Sequence, residues 1–363
     1  MNPEFWRKTR VLLTGHTGFK GSWLSLWLQS LGADLLGYSL PPPTRPNLFE
    51  LAQVGDGMKS VEGDVVDLGP LDLAMREHQP AIVFHMAAQS LVRRSYADPV
   101  TTYATNVMGT VNLLEAVRRT PAVRAVVVVT TDKCYENRGD QQGFRETDRL
   151  GGDDPYSSSK AAAELVTLAY RKSFFAGAGR KPQTGIASAR AGNVIGGGDW
   201  APDRLIPDVM RAVVEGKDLL IRNPQSVRPW QHVLDPLCGY LTLAERLSQD
   251  PERFSQAWNF GPAESENLPV AAMLKRFQAL WGAGFSWRVD DTPQPHEAPY
   301  LQLDCAKART ELGWEPLWNL DGALEATAEW YKAQQSGQDA RLVTNRQIRS
   351  YQSLLRVPET SRR

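Results

Sequence analysis

Cysteine is scarce, with three residues in 363, and histidine numbers only five. Cys134, Cys238 and Cys305 are odd in number and lack metal-ligand spacing, so reduced thiols are expected, with no disulfide framework and no metal site. Net charge is missing too. Forty-one Lys and Arg balance 41 Asp and Glu, which removes any long-range basic field that would gather nucleic acid or anionic lipid. No apolar run approaches the ~18 residues that span a bilayer, and MNPEFWRKTR has no signal-peptide apolar region. With 42% hydrophobic and 23% charged residues, disordered and low-complexity classes are excluded. These absences predict a cytoplasmic globular protein with neither a nucleic-acid nor a membrane partner.

What the chain does contain is alternation. Short β-branched runs, VLLTG at 11–15, DLLGYSL at 34–40, a stretch near Val61, AIVFHMAA at 81–88 and AVVVVTT at 125–131, are mostly separated by helix-length segments. That pattern predicts an α/β fold with a parallel sheet covered on both faces, AVVVVTT being a central strand. After Arg190 the pattern gives way to Gly/Pro-punctuated segments, which suggests a smaller C-terminal domain. The expected division is 1–190, with later segments returning to it, then 191–355, and a frayed tail at 356–363. The 134–155 connection is long and aperiodic, and is expected to be a lid.

VLLTGHTGFKG places Gly15, Gly18 and Gly21 directly after the first apolar run and at the start of a helix near Phe19. Glycine there permits a tight turn and close approach to a pyrophosphate held by helix N-terminal amides. An acidic residue for the adenosine ribose is expected about 20 residues further on, but GYSLPPPT offers Tyr38 and Ser39. NAD remains the expected cofactor and NADP the less favoured one, with Arg45 the candidate for a 2′-phosphate. Asp64 is either an adenine contact or a helix cap.

DPYSSSKAAAELV sets Tyr156 and Lys160 four residues apart at a helix start, on one face. A nearby ammonium stabilises a phenolate and suits the tyrosine to act as a base. Taken with TGHTGFKG, HMAAQ at 85–89, YATN at 103–106, RAGNVIG at 190–196, RPWQHVLD at 228–235 and WNFGP at 258–262, in that order, the chain resembles the extended short-chain dehydrogenase/reductase superfamily. TTDKCYEN at 130–137 is similar to the strand-end signature of its nucleotide-sugar 4,6-dehydratases, and with GYSLPPPTRPNLFE it is most like those acting on CDP-glucose.

The resemblance implies a Rossmann-type doubly wound sheet with a smaller substrate-binding domain, and a lyase that recycles NAD. It assigns catalysis to Thr131, Asp132, Lys133, Tyr156 and Lys160, with Glu136 as the alternative base to Lys133. Cofactor contacts are expected at Gly15, Gly18, Phe19, Gly21, Asp64, Val65, Ala87, Asn106, Tyr156 and Lys160. A sugar nucleotide is expected at Asn193, Arg204, Arg228, Asn259, His296 and Tyr300, Arg228 suiting a diphosphate because guanidinium binds its oxygens bidentately. No tryptophan is assigned to a base. A homodimer or tetramer is implied. A sugar-nucleotide epimerase, an inverting dehydratase of another nucleotide, and a non-catalytic cofactor-binding scaffold remain as alternatives.

Overall fold

The computed structural model describes residues 1–137, 139, 142–176, 183–282, 285–290, 292 and 300–355. The apolar runs become a seven-stranded sheet: β1 (Arg10–Thr14), β2 (Asp34–Ser39), β3 (Lys59–Glu62), β4 (Ile82–His85), β5 (Ala125–Val129), β6 (Gly185–Ala191) and β7 (Ala257–Phe260). Its order is β7-β6-β5-β4-β1-β2-β3, and every pairing is parallel. β4, β5 and β6 are buried along their whole length, as strands covered on both faces must be, whereas β3 is an exposed edge. β7 comes from the C-terminal half and returns to lie beside β6.

Helices α1 (Phe19–Ser30) and α6 (Leu234–Gln249) contribute to the core on one face, and α2 (Leu68–His78) and α3 (Gly109–Arg118) to the core on the other. α1 is buried on every side from Gly21 to Leu28: Trp23 and Trp27 are fully buried, and Trp27 meets Tyr351 edge-on from the Ala340–Leu355 helix. Tryptophan therefore serves mainly as filling. α4 (Pro155–Tyr170) carries Tyr156 and Lys160, and α5 (Leu205–Glu215) opens the C-terminal portion. There, three two-stranded pairings, including Val227–Pro229 with Asn267–Pro269, contribute residues to a cleft at the carboxyl ends of the sheet strands.

The 134–155 connection departs from the expected lid. In its described part Phe144 is buried and stacked on Tyr135, and Phe144 N donates to Gln302 O at 2.9 Å. An apolar anchor pins this segment beside residues 300–304, and none of its described residues before Pro155 lines the cleft. Among the described residues, the three cysteines are unpaired and buried, no group of side chains could hold a metal, and no helix is long and apolar enough to cross a membrane.

Candidate active site

β1 pairs with β2 on one side and β4 on the other, so the sheet's growth reverses there, and a crevice opens beyond the strand ends. A cleft of about 700 Å³ occupies it, lined by the turns after β1, β4, β5 and β6 and by residues 219–230. Gly15 has φ +76, and a Cβ on it would stand 2.7 Å from Ala87 N. A Cβ on Gly21 would stand 2.1 Å from Gly15 O. Both glycines are required by close approach of backbone to backbone. α1 then begins at Phe19 with no side-chain cap, leaving its first amides available to an anion.

Gly15, Gly18, Phe19, Gly21, Asp64, Val65 and Ala87 all line this cleft, as do Tyr156 and Lys160. These features fit a dinucleotide. At the adenosine end, at the position the motif reserves for an acidic residue, Ser39 hydrogen-bonds Thr17 across 2.9 Å. The neighbouring lining residues, Leu40, Pro41, Pro43, Thr44 and Asp64, include no cation, and Arg45 is not among them. That suits NAD rather than its 2′-phosphorylated form. Asp64 Oδ1 accepts from Val66 N at 3.0 Å, a turn bond that leaves it in the cleft wall.

Replacement of Gly15 by alanine is expected to force the turns after β1 and β4 apart and to weaken NAD binding about 10-fold or more, given ~1–3 kcal/mol of strain. Gly69→Ala, where a Cβ meets nothing within 4 Å, is the control and should bind normally by titration calorimetry.

Beyond the β5 end, Thr131, Asp132 and Lys133 turn into the cleft opposite Tyr156 and Lys160. Thr131 Oγ1 donates to Asp132 Oδ1 at 3.0 Å, and Lys133 N donates to Thr131 Oγ1 at 3.3 Å, which fixes the turn. Asp132 Oδ2 is buried with no protein partner, 2.9 Å from where a Gly192 Cβ would stand, so only glycine leaves it room. Burial pushes Tyr156 up to about 12; the Thr131 hydroxyl and then the Arg204 guanidinium act against this, while Asp132 and Asp154 reinforce it. Burial brings Lys160 down to about 8, opposed by Glu164, and Lys160 Nζ donates to Val129 O at 3.2 Å.

Lys20 was missed from sequence. It lines the cleft from α1, and burial, then Arg204 and Lys160, bring it down to about 7 against the pull of Asp132. Its position inside the glycine motif concealed it, since that motif is read for backbone rather than side chains.

Asn106 does not reach the cleft wall. It sits on a π-turn at Ala104–Met108, with Oδ1 accepting from Gln89 N at 2.9 Å and Nδ2 donating to Gln89 O at 3.0 Å and Ser159 Oγ at 2.8 Å. It clamps the segment after β4 to α4. Glu136 also points elsewhere: its carboxylate faces Arg149 at 3.5 Å, and it does not line the cleft.

On the substrate side Asn193, Arg204 and Arg228 line the cleft. Arg228 is buried, with Nη1 donating to Val227 O at 3.0 Å. Arg204 bonds Asp199 Oδ2 and Ser90 Oγ, each at 3.0 Å, so it ties the α5 start to the loop after β4. Asn259 and Tyr300 stand apart from the cleft lining. Asn259 is fully buried, accepting from Tyr135 Oη at 2.7 Å and donating to Phe144 O and Asp304 O. The Tyr300 hydroxyl donates to Gln302 Oε1 at 2.8 Å, and neither residue lines the cleft. His296 and the tail at 356–363 lie outside the described residues.

Residues 11–261 match the family described as NAD dependent epimerase/dehydratase. The chain belongs to the NAD dependent epimerase/dehydratase family. Within that family it is similar to a CDP-glucose 4,6-dehydratase of Salmonella typhimurium strain LT2, at 51% identity over 354 residues, covering 97% of this chain and 99% of the relative. A dTDP-glucose 4,6-dehydratase of Bacillus anthracis, solved with NAD, superposes with a TM-score of 0.74 at 26% identity, covering 91% of this chain and 98% of that one. A dTDP-glucose 4,6-dehydratase of Streptomyces venezuelae, also solved with NAD, gives 0.77 at 26% identity, covering 91% and 99%.

Proposed function

We propose that this member of the family is a CDP-glucose 4,6-dehydratase, forming CDP-4-keto-6-deoxyglucose. The observation that carries the reading is the 51% identity spanning 97% of the chain to a dehydratase of that substrate. The Thr131–Lys133 turn and the Tyr156/Lys160 pair, facing each other in one cleft, support it.

In this reading Tyr156 takes the proton of the sugar's C4 hydroxyl, with the Thr131 hydroxyl and the Lys160 ammonium supporting the developing phenolate-side charge. NAD, which Gly15, Gly18, Phe19 and Gly21 would hold at the cleft wall, would supply the hydride acceptor for C4 and the hydride donor for C6. The resulting 4-ketone acidifies C5–H. Asp132, whose second oxygen is free of protein partners, delivers a proton to the departing C6 hydroxyl while Lys133 takes the C5 proton, and water leaves. Arg228 holds the diphosphate, with Asn193 and Arg204 beside it. Residues 191–355 form most of this sugar-nucleotide side, with β7 returned to the sheet.

Incubation with CDP-glucose, and in parallel with UDP-, dTDP- and GDP-glucose, tests the reading by mass spectrometry. Loss of one water from the CDP sugar, with no net NADH, is expected; loss only from another nucleotide transfers the substrate, and an epimer would point to the other branch of the family.

The product class is a precursor for deoxysugars of surface polysaccharides, and a cytoplasmic location belongs to the same reading. A homodimer is proposed as well. Val100, Tyr103, Met108, Leu165 and Phe174 are exposed on and around α3 and α4, an apolar surface of the kind that marks an interface. Sedimentation equilibrium should give twice the chain mass or a multiple of it, and a monomer would remove the proposal.

A further inference from the structure

Glu164 has no place in the scheme above, yet it lies four residues beyond Lys160 on α4 and is buried. Its carboxylate accepts from Thr130 Oγ1 at 2.5 Å, Ser188 Oγ at 2.7 Å and Arg190 Nη2 at 2.8 Å. Arg190 Nη1 in turn donates to Tyr135 Oη at 2.7 Å and Glu146 O at 3.2 Å, with its guanidinium 4.8 Å from the Tyr135 ring centroid. Tyr135 directly extends the turn that carries Asp132 and Lys133. One carboxylate therefore joins the helix bearing Tyr156 and Lys160 to both ends of the Thr131–Lys133 turn.

Two rungs connect the end of β5 to α4: Lys160 Nζ to Val129 O, and, one residue past the strand and four along the helix, Thr130 Oγ1 to Glu164 Oε1. Burial opposes the Lys160 charge. The titratable groups that interact with that ammonium are Glu164 on its own helix, Cys134 from the turn after β5, His85 from β4 and Lys20 from α1. Burial raises the Cys134 thiol and lowers His85 to about 3, so both are neutral near pH 7. Facing Glu164 are Arg190 and Ser188 from β6, Thr130, and Arg171 just past α4. Burial pushes the Glu164 carboxyl up, but Arg190 and the three hydrogen bonds outweigh it, and the carboxyl stays below its usual range.

We propose that Glu164 is a positioning residue for the reaction at Tyr156: its carboxylate locks α4 against the Thr131–Lys133 turn and stands, one helical turn on, as the counter-charge to the buried Lys160 ammonium. The proposal rests on the dehydratase reading for its kinetic test and on α4 alone for its second test.

Glu164→Gln removes the charge but leaves Arg190 buried without its anion, which can prevent folding. Glu164→Met with Arg190→Met removes both charges at similar volume and keeps the question answerable. With NAD-loaded protein and CDP-glucose, the alkaline limb of kcat is expected to move toward acid by about one pH unit in Glu164→Gln, because loss of a nearby opposite charge shifts a buried amine by that order, and in the same direction by less in the double variant, which also removes the Arg190 cation. KM should change less than about 3-fold, and Glu164→Asp should restore part of the limb. Trace acetylation across pH, read by mass spectrometry of the Lys160 peptide, should show the same acidward move without any turnover.

A uniform loss of kcat at every pH, or an unmoved limb together with an unmoved labelling midpoint in folded variants, would overturn the proposal. If the parent protein does not dehydrate CDP-glucose, that reading fails by itself and the labelling midpoint alone decides the role of Glu164.

Discussion

Tyr156→Phe is expected to lower dehydration of CDP-glucose by about 10³-fold, within the ~10²–10⁴ range that a positioned proton acceptor supplies. The phenol is 8% exposed, and burial holds it up at about 12, so unaided it would be a poor base at neutral pH. What offsets this is local: the Thr131 hydroxyl and the Arg204 guanidinium both favour the ionised form. Phenylalanine keeps the ring volume and the helix start, where Tyr156 N donates to Ser95 Oγ at 3.1 Å. CDP-glucose binding, measured by calorimetry, should therefore change little while C4 oxidation nearly stops. An unchanged kcat would remove Tyr156 from the chemistry and with it the scheme proposed above.

The parts that were legible in the sequence are those encoded by local pattern. AVVVVTT reads as a doubly covered central strand because every residue from Ala125 to Val129 is apolar, and it is one, wholly buried. Gly15 and Gly21 were legible because the backbone conformation and spacing at those points tolerate no Cβ. Side-chain direction was not legible. Asn259 and Asn193 sit in equally suggestive motifs, yet Asn259 on β7 points into loop carbonyls, whereas Asn193, just past the β6 end, lines the cleft. Which way each faces depends on strand register and on neighbours distant in sequence, such as Phe144 and Asp304. Glu136 illustrates the same limit. It follows Asp132 and Lys133 by a few residues, but the chain leaves the cleft at Tyr135, whose ring is anchored by Phe144 and Arg190.

That geometry makes the second large prediction specific. With Glu136 directed at Arg149, the proposed scheme assigns the C5 proton to Lys133, which lines the cleft beside Asp132. Lys133→Ala is expected to slow water loss by about 10²-fold or more, while oxidation at C4, which depends on Tyr156 and Lys160, persists. In single-turnover mixing the variant should show reduced cofactor at 340 nm that decays slowly, together with an unreacted 4-ketohexose. Because Lys133 N, not its side chain, makes the bond to Thr131 Oγ1, alanine leaves the turn in place, and the defect can be read as chemical. Glu136→Ala should retain turnover within a few-fold of the parent protein. Full dehydratase activity in Lys133→Ala, or a collapse in Glu136→Ala with Lys133 intact, would move the elimination base out of position 133.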